Sequence, residues 1–196
     1  MTVTRRSEWP AGPAPEDSGG PLPSRAGAGP PRTPRDPVER ARAIGLRLLT
    51  GSPRTRGELE RALREREIPP EAVSAVLDRF EEAGLIDDAA FAEAWVESRH
   101  HGRGLAGRAL ARELRTRGVD STVIDRAVGR LDRDQEEATA RVLVRRRLPA
   151  TAGLPAPKRL RRLASLLARR GYGEELALRV VRSELAAEER DGPQGL

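Results

Sequence analysis

Two adjacent aspartates, Asp87 and Asp88, lie in the stretch GLIDDAAFAEAWVESR, residues 84–99. Neighbouring carboxylates can hold a divalent cation or divide acid and base roles between them. The chain's two histidines, His100 and His101, follow directly. A helix rises 1.5 Å per residue, so roughly 20 Å would separate them from Asp87, too far to share a metal along one helix. The spacing points instead to a helix start. Asp87 suits the N-cap, where its carboxylate accepts a first-turn N–H. Asp88 suits the first helical position, at the positive end of the dipole. Ile86 and Phe91 have the spacing of a hydrophobic staple, and Phe91 and Trp95, four apart, share a face. Gly84 ahead of them suits a left-handed cap on the preceding helix. The two histidines are expected on the surface near the end of the new helix.

Other catalytic chemistries find no residues to carry them. The chain has no cysteine, which excludes disulfides, thiolate zinc sites and thiol catalysis. Walker, dinucleotide-binding GxGxxG and HExxH signatures are absent. GRGLAG, 102–107, has no lysine and no preceding strand, and reads as a connector between helices. No catalytic, metal-ligating or cofactor-binding residue is expected, and no cofactor.

Charge is the more informative chemistry. The net charge is +6, and Lys158 is the only lysine. Between Gly57 and Asp88 acids outnumber bases. From Arg99 to Arg117, Glu113 is the only acid among six arginines, and from Arg141 to Gly171 there is no acid at all. Arg108, Arg112 and Arg115, spaced by four and three, form a basic stripe on a helix over 106–117, while Leu110 and Leu114 form its apolar one. Arg99 and Arg103 precede this stripe. Arg145, Arg146, Arg147, Lys158, Arg159, Arg161 and Arg162 occupy the acid-free run. These twelve residues are the candidates for contacting phosphates or an acidic protein groove. Aromatic residues make up 3% of the chain and none interleaves with the arginines, so DNA binding is expected to be weak, non-specific and salt-sensitive.

The elements that must carry this charge are helical. A core built from Leu, Val, Ile and Ala, with so few aromatics, favours helices. Residues 1–36, rich in Pro and Gly, are expected to form a disordered tail. From Pro37 a three-helix pattern begins and recurs. Ile68, Val119 and Tyr172 serve as anchors. Nine residues earlier stand Leu59, Leu110 and Leu163; five earlier, Leu63, Leu114 and Leu167. Eight later stand Val76, Ala127 and Val180; nine later, Leu77, Val128 and Val181. A period near fifty residues is that of a stacked array. The expectation is an all-α fold: an elongated, curved array of three tandem three-helix repeats over 37–86, 87–132 and 133–188, with a frayed end over 189–196. ATAGLPAP, 150–157, is read as a linker inside the third repeat. No apolar segment reaches the ~20 residues of a membrane span, and the N-terminus lacks the apolar stretch of a signal peptide. The chain is expected in the cytoplasm, as a monomer.

The residues at 84–119 resemble the RecX family of bacterial recombination regulators. The likeness lies in GLIDD, Phe91-Ala92 to Trp95, Ser98-Arg99, Gly107, Glu113-Leu114 and Arg117-Gly118-Val119; LASLLARRGYGEELALRVV, 163–181, resembles the family's third unit. The similarity spans about 38 to 188, with Ala111 where the family has Ile or Leu. The resemblance implies a non-enzymatic regulator that binds RecA and the RecA–DNA filament and inhibits ATP hydrolysis and strand exchange in repair, recombination and the SOS response. Two other readings compete. Residues 55–87 could form a winged-helix DNA-binding core, if strands followed Ile86. The array could also be a helical scaffold without a DNA role.

Overall fold

The computed structural model describes residues 36–191. The tail expected over 1–36 lies outside them except for Asp36, as do residues 192–196. The described residues form nine α-helices and no strand: α1 (Pro37–Gly51), α2 (Arg56–Arg64), α3 (Pro70–Glu82), α4 (Asp88–Arg103), α5 (Gly107–Thr116), α6 (Ser121–Gly129), α7 (Arg133–Arg145), α8 (Ala156–Arg169) and α9 (Glu174–Asp191).

Local signals set most helix starts. Asp36 accepts from Val38 N at 3.0 Å with Pro37 in the first turn. Thr55 and Glu58 form a reciprocal capping box on α2. Asp87, Asp120 and Asp132 cap α4, α6 and α7 through their side chains. Helix α4 begins where a wing would have needed a strand, which removes the winged-helix reading.

Apolar faces then gather three helices at a time. Leu59, Leu63, Val76 and Leu77 centre the first core, Leu110, Leu114 and Ile124 the second, and Leu163, Leu167, Val180 and Val181 the third. Of the fifteen residues in the five repeating columns only Val128 is not fully buried. Each buried Leu, Ile or Val among them stabilises its core by about 1.5–3 kcal/mol, and together they help order helices that would be marginal alone.

The units are joined by one device used twice. Thr55, the N-cap of α2, donates its hydroxyl to Arg117 O at 2.5 Å; Ala106, the N-cap of α5, donates its N–H to Arg170 O at 2.9 Å. In both cases the residue opening one unit's second helix meets the carbonyl closing the next unit's second helix. A carboxylate completes each joint. Asp88 Oδ1 accepts from Arg56 N at 2.8 Å, and Glu136 Oε1 from Gly107 N at 2.7 Å. Helices α2 and α5 thus each have their first N–H satisfied by the following unit. The approach is close. A Cβ on Gly118 (φ +80°) would lie 3.0 Å from Gly57 Cα, and one on Gly171 (φ +90°) 2.5 Å from Ala109 N. Among the described residues no unit precedes the first, and there the equivalent residue is Glu67, at φ 57°.

Five expectations need correction. Asp88 does more than complement its own helix dipole: its carboxylate turns back to α2. Ile86 is buried in the first core and Phe91 packs on the second, so the staple pair divides between two units. His100 is not a surface residue but 2% exposed, with Nδ1 2.9 Å from Leu105 O and Nε2 3.1 Å from Thr139 Oγ1. The fold brings α7 over the end of α4, and only His101 stays exposed. The segment 150–157 is partly built into the third unit: Pro149–Thr151 forms a 3-10 turn, and buried Thr151 donates to Leu148 O at 2.9 Å. GRGLAG also shortens as a connector, since Gly102 and Arg103 finish α4 and Gly107 begins α5.

Candidate functional site

The opening aspartates hold backbone. Asp87 accepts from Ala90 N at 2.8 Å and Asp88 from Arg56 N. Partial burial raises the Asp88 carboxyl above its ordinary value, against the lowering effect of the Arg56 N–H. Beside them, Phe91 and Trp95 stack with centroids 5.7 Å apart. Arg99 lies 4.1 Å and Arg117 3.8 Å from the Trp95 ring centre. Trp95 Nε1 donates to Glu113 at 2.9 Å, and Arg117 pairs with Glu58 of the first unit. Arg99 is therefore held in an aromatic cluster at the first joint, where cation–π contact is worth about 0.5–2 kcal/mol.

The acid-free run divides by helix face. Arg145 points to α9, where its Nε meets Glu184 Oε2 at 2.6 Å; Arg141 reaches the same carboxylate at 3.1 Å. Glu184 is 4% exposed. The hydrogen bond from Arg145 holds its carboxyl below the ordinary range, against the opposing effect of burial. Arg159 is occupied likewise by Glu188 and Thr151. These two candidates tie the third unit together.

Their neighbours face outward and converge. Arg103 and His101 at the end of α4, Arg146 and Arg147 at the end of α7, and Arg170 line a groove of about 700 Å³ at the second joint. Arg147 continues into a smaller hollow of about 150 Å³ with Arg162 and Arg169. Arg162 and Arg169 in turn line a third, of about 510 Å³, with Lys158 and Arg161. Shared walls make the three one track over α4, α7 and α8, and among the described residues no acidic side chain lines any part of it. Exposed Val142, with Leu143 and Leu166, gives the first groove an apolar wall. Arg169 and Arg170 were not among the residues singled out from sequence, although both belong to the acid-free run that could have flagged them.

Arg108, Arg112 and Arg115 are exposed on α5 but line no part of this track. Arg108 instead borders a groove of about 1270 Å³ that also carries Asp134, Glu136, Glu137, Glu174 and Glu175. The twelve candidates thus fall into three sets: a joint and core set (Arg99, Arg145, Arg159), an α5 stripe, and the track.

Residues 41–80 match the family domain described as RecX, first three-helix domain, and residues 87–128 the second three-helix domain. A protein from Streptomyces coelicolor named Regulatory protein RecX is 66% identical over 179 residues, covering 91% of this chain and 94% of the relative. One of the same name from Thermobifida fusca is 61% identical, covering 85% and 94%. The crystal structure of RecX from Lactobacillus salivarius superposes with a TM-score of 0.70 at 16% identity, over 75% of this chain and 96% of that one. A second crystal structure of a regulatory protein RecX gives 0.66 at 22% identity, over 72% and 70%. At these identities the superpositions speak to the fold alone; the sequence identities to the curated relatives go further. The chain belongs to the RecX family of regulatory proteins.

Proposed function

We propose that this chain is a non-enzymatic regulator that binds RecA and its nucleoprotein filament in the cytoplasm. It inhibits ATP hydrolysis and strand exchange, and so acts in DNA repair, recombination and the SOS response. The observation that carries the reading, beside family membership, is the acid-free basic track laid across a serial helical array. Three small cores, tied one to the next by paired backbone and carboxylate contacts, provide a surface on which many modest contacts can be made at once. Charges along such a surface chiefly steer association and set register on the partner. The aspartates that might have suggested catalysis are engaged in capping helices.

The test is ATP hydrolysis by the host's RecA on single-stranded DNA while this protein is titrated in at two salt concentrations. Inhibition at substoichiometric protein is expected, weaker at the higher salt. No inhibition by a folded preparation that also fails to bind the filament overturns the reading.

A further inference from the structure

The two outward-facing basic surfaces differ in a way that assigns them different partners. The α5 stripe sits on one helix, over about 10 Å from Arg108 to Arg115. Its Arg108 end opens onto a groove of mixed charge, in which five carboxylates stand beside Arg133 and Arg179. A polyanion laid there would meet those acids, whereas a protein surface of mixed charge would not be repelled. The track has the opposite character. Its cations come from three helices of two units, follow one another through connected hollows, and have no carboxylate among them in the described residues. A nucleic-acid strand carries one phosphate charge per ~3.4 Å, and a row of cations in a concave path matches such a continuous polyanion. Among the described residues no Phe, Tyr or Trp lines the track. A site that stacks bases would need one.

We infer that the track through Arg103, Arg146, Arg147, Arg162, Arg169 and Lys158 holds the phosphodiester backbone of nucleic acid without reading bases, and that the α5 stripe is no part of that site. This deepens the filament-regulator reading and rests on it for biological context. Its test omits RecA, so the two can fail separately.

The experiment measures fluorescence anisotropy of a labelled oligo-dT strand, and of a mixed-sequence duplex, with the full chain at salt concentrations between about 50 and 200 mM. Two variants are compared: Arg146→Ala/Arg147→Ala/Arg162→Ala in the track, and Arg108→Ala/Arg112→Ala/Arg115→Ala in the stripe. All six side chains are exposed, so both variants should fold, which circular dichroism melting checks. The track variant should bind at least about tenfold more weakly, with its log–log salt slope reduced by about 2. The stripe variant should stay within about twofold of the parent, and a random-sequence single strand should bind within a few-fold of oligo-dT. The strand and duplex arms show which form of backbone the track prefers. The inference is overturned if the parent binds neither probe at low salt, or if the stripe variant loses as much affinity as the track variant. It is likewise overturned if the track variant keeps the parent's oligonucleotide affinity, which would leave an acidic protein surface as the partner of these cations. Failure of RecA inhibition with oligonucleotide binding intact would sink the regulator reading and leave the track standing.

Discussion

Replacing Gly171 by alanine probes the second joint directly. The backbone there is left-handed, at φ +90°, and a Cβ would stand 2.5 Å from Ala109 N and 2.7 Å from Ala109 Cβ. Neither neighbour is the movable end of a long side chain. The left-handed conformation alone costs an L-residue about 1–2 kcal/mol, partly offset by about 0.4–1 kcal/mol from the stiffer unfolded chain. Relieving the overlap requires the third unit to move off α5, for which the cost of overpacking, about 1–3 kcal/mol, is the nearest guide. That movement also stretches the Ala106 N to Arg170 O bond. The sum is a loss of about 2–4 kcal/mol. Gly84→Ala is the matched control. It shares a left-handed backbone, at φ +67°, but has nothing within 4 Å of the added carbon, so only the conformational part, about 1 kcal/mol, applies. Urea denaturation of both variants, read as midpoint shifts at constant slope, gives the comparison. If Gly171→Ala costs no more than Gly84→Ala, close packing between units does not hold that glycine, and the account of the joint is wrong.

Three other substitutions test neighbouring claims. Asp88→Ala should cost about 1–2 kcal/mol by removing the acceptor for Arg56 N, and Asp88→Asn, which keeps an oxygen, distinctly less; equal losses would mean the cap is not the contribution. Glu67→Gly should stabilise the chain by about 0.5–1 kcal/mol in denaturant titration, because it relieves a left-handed Glu where no preceding unit packs; destabilisation would show that the Glu67 side chain makes a contact of its own. Glu184→Gln should lower stability at neutral pH by about 1–3 kcal/mol. Because the Glu184 carboxyl is held below its ordinary value of 4.5, its contribution is present above that value and disappears as pH falls through the folded-state value. Melting curves of parent and variant should therefore converge on acidification below about pH 4.5, and a constant gap down to pH 3 would refute the assignment.

The resemblance of the stretch from Gly84 to Val119 to a known family was legible without a structure, because its motif residues are close together in the chain. The helix starts were legible for a similar reason. A side chain capping the N–H two or three residues ahead acts within one turn, so Asp36, Thr55 and Asp87 announce their helices locally. The columns headed by Leu59, Leu110 and Leu163 announce the cores, since an apolar stripe at helical spacing must find a partner. His100 shows where this local reading stops. Nothing within its own helix says that Thr139, thirty-nine residues on, will cover it.

What the sequence by itself determined is thus the set of short-range features: helices, caps, apolar stripes and a three-fold recurrence. The tertiary structure alone decided which polar groups face which. Arg145, Arg146 and Arg147 are consecutive and chemically alike, yet a turn of about 100° per residue sends Arg145 to Glu184 and its neighbours to the track. Asp88 and Glu136 look like ordinary first-turn acids until the next unit's position makes them caps on α2 and α5. Charge acts through space at a few ångströms, and contacts such as Arg145 with Glu184, or Asp88 with Arg56, join residues separated by a helix or more. Their pairing is set only when the apolar stripes have chosen how the units stack.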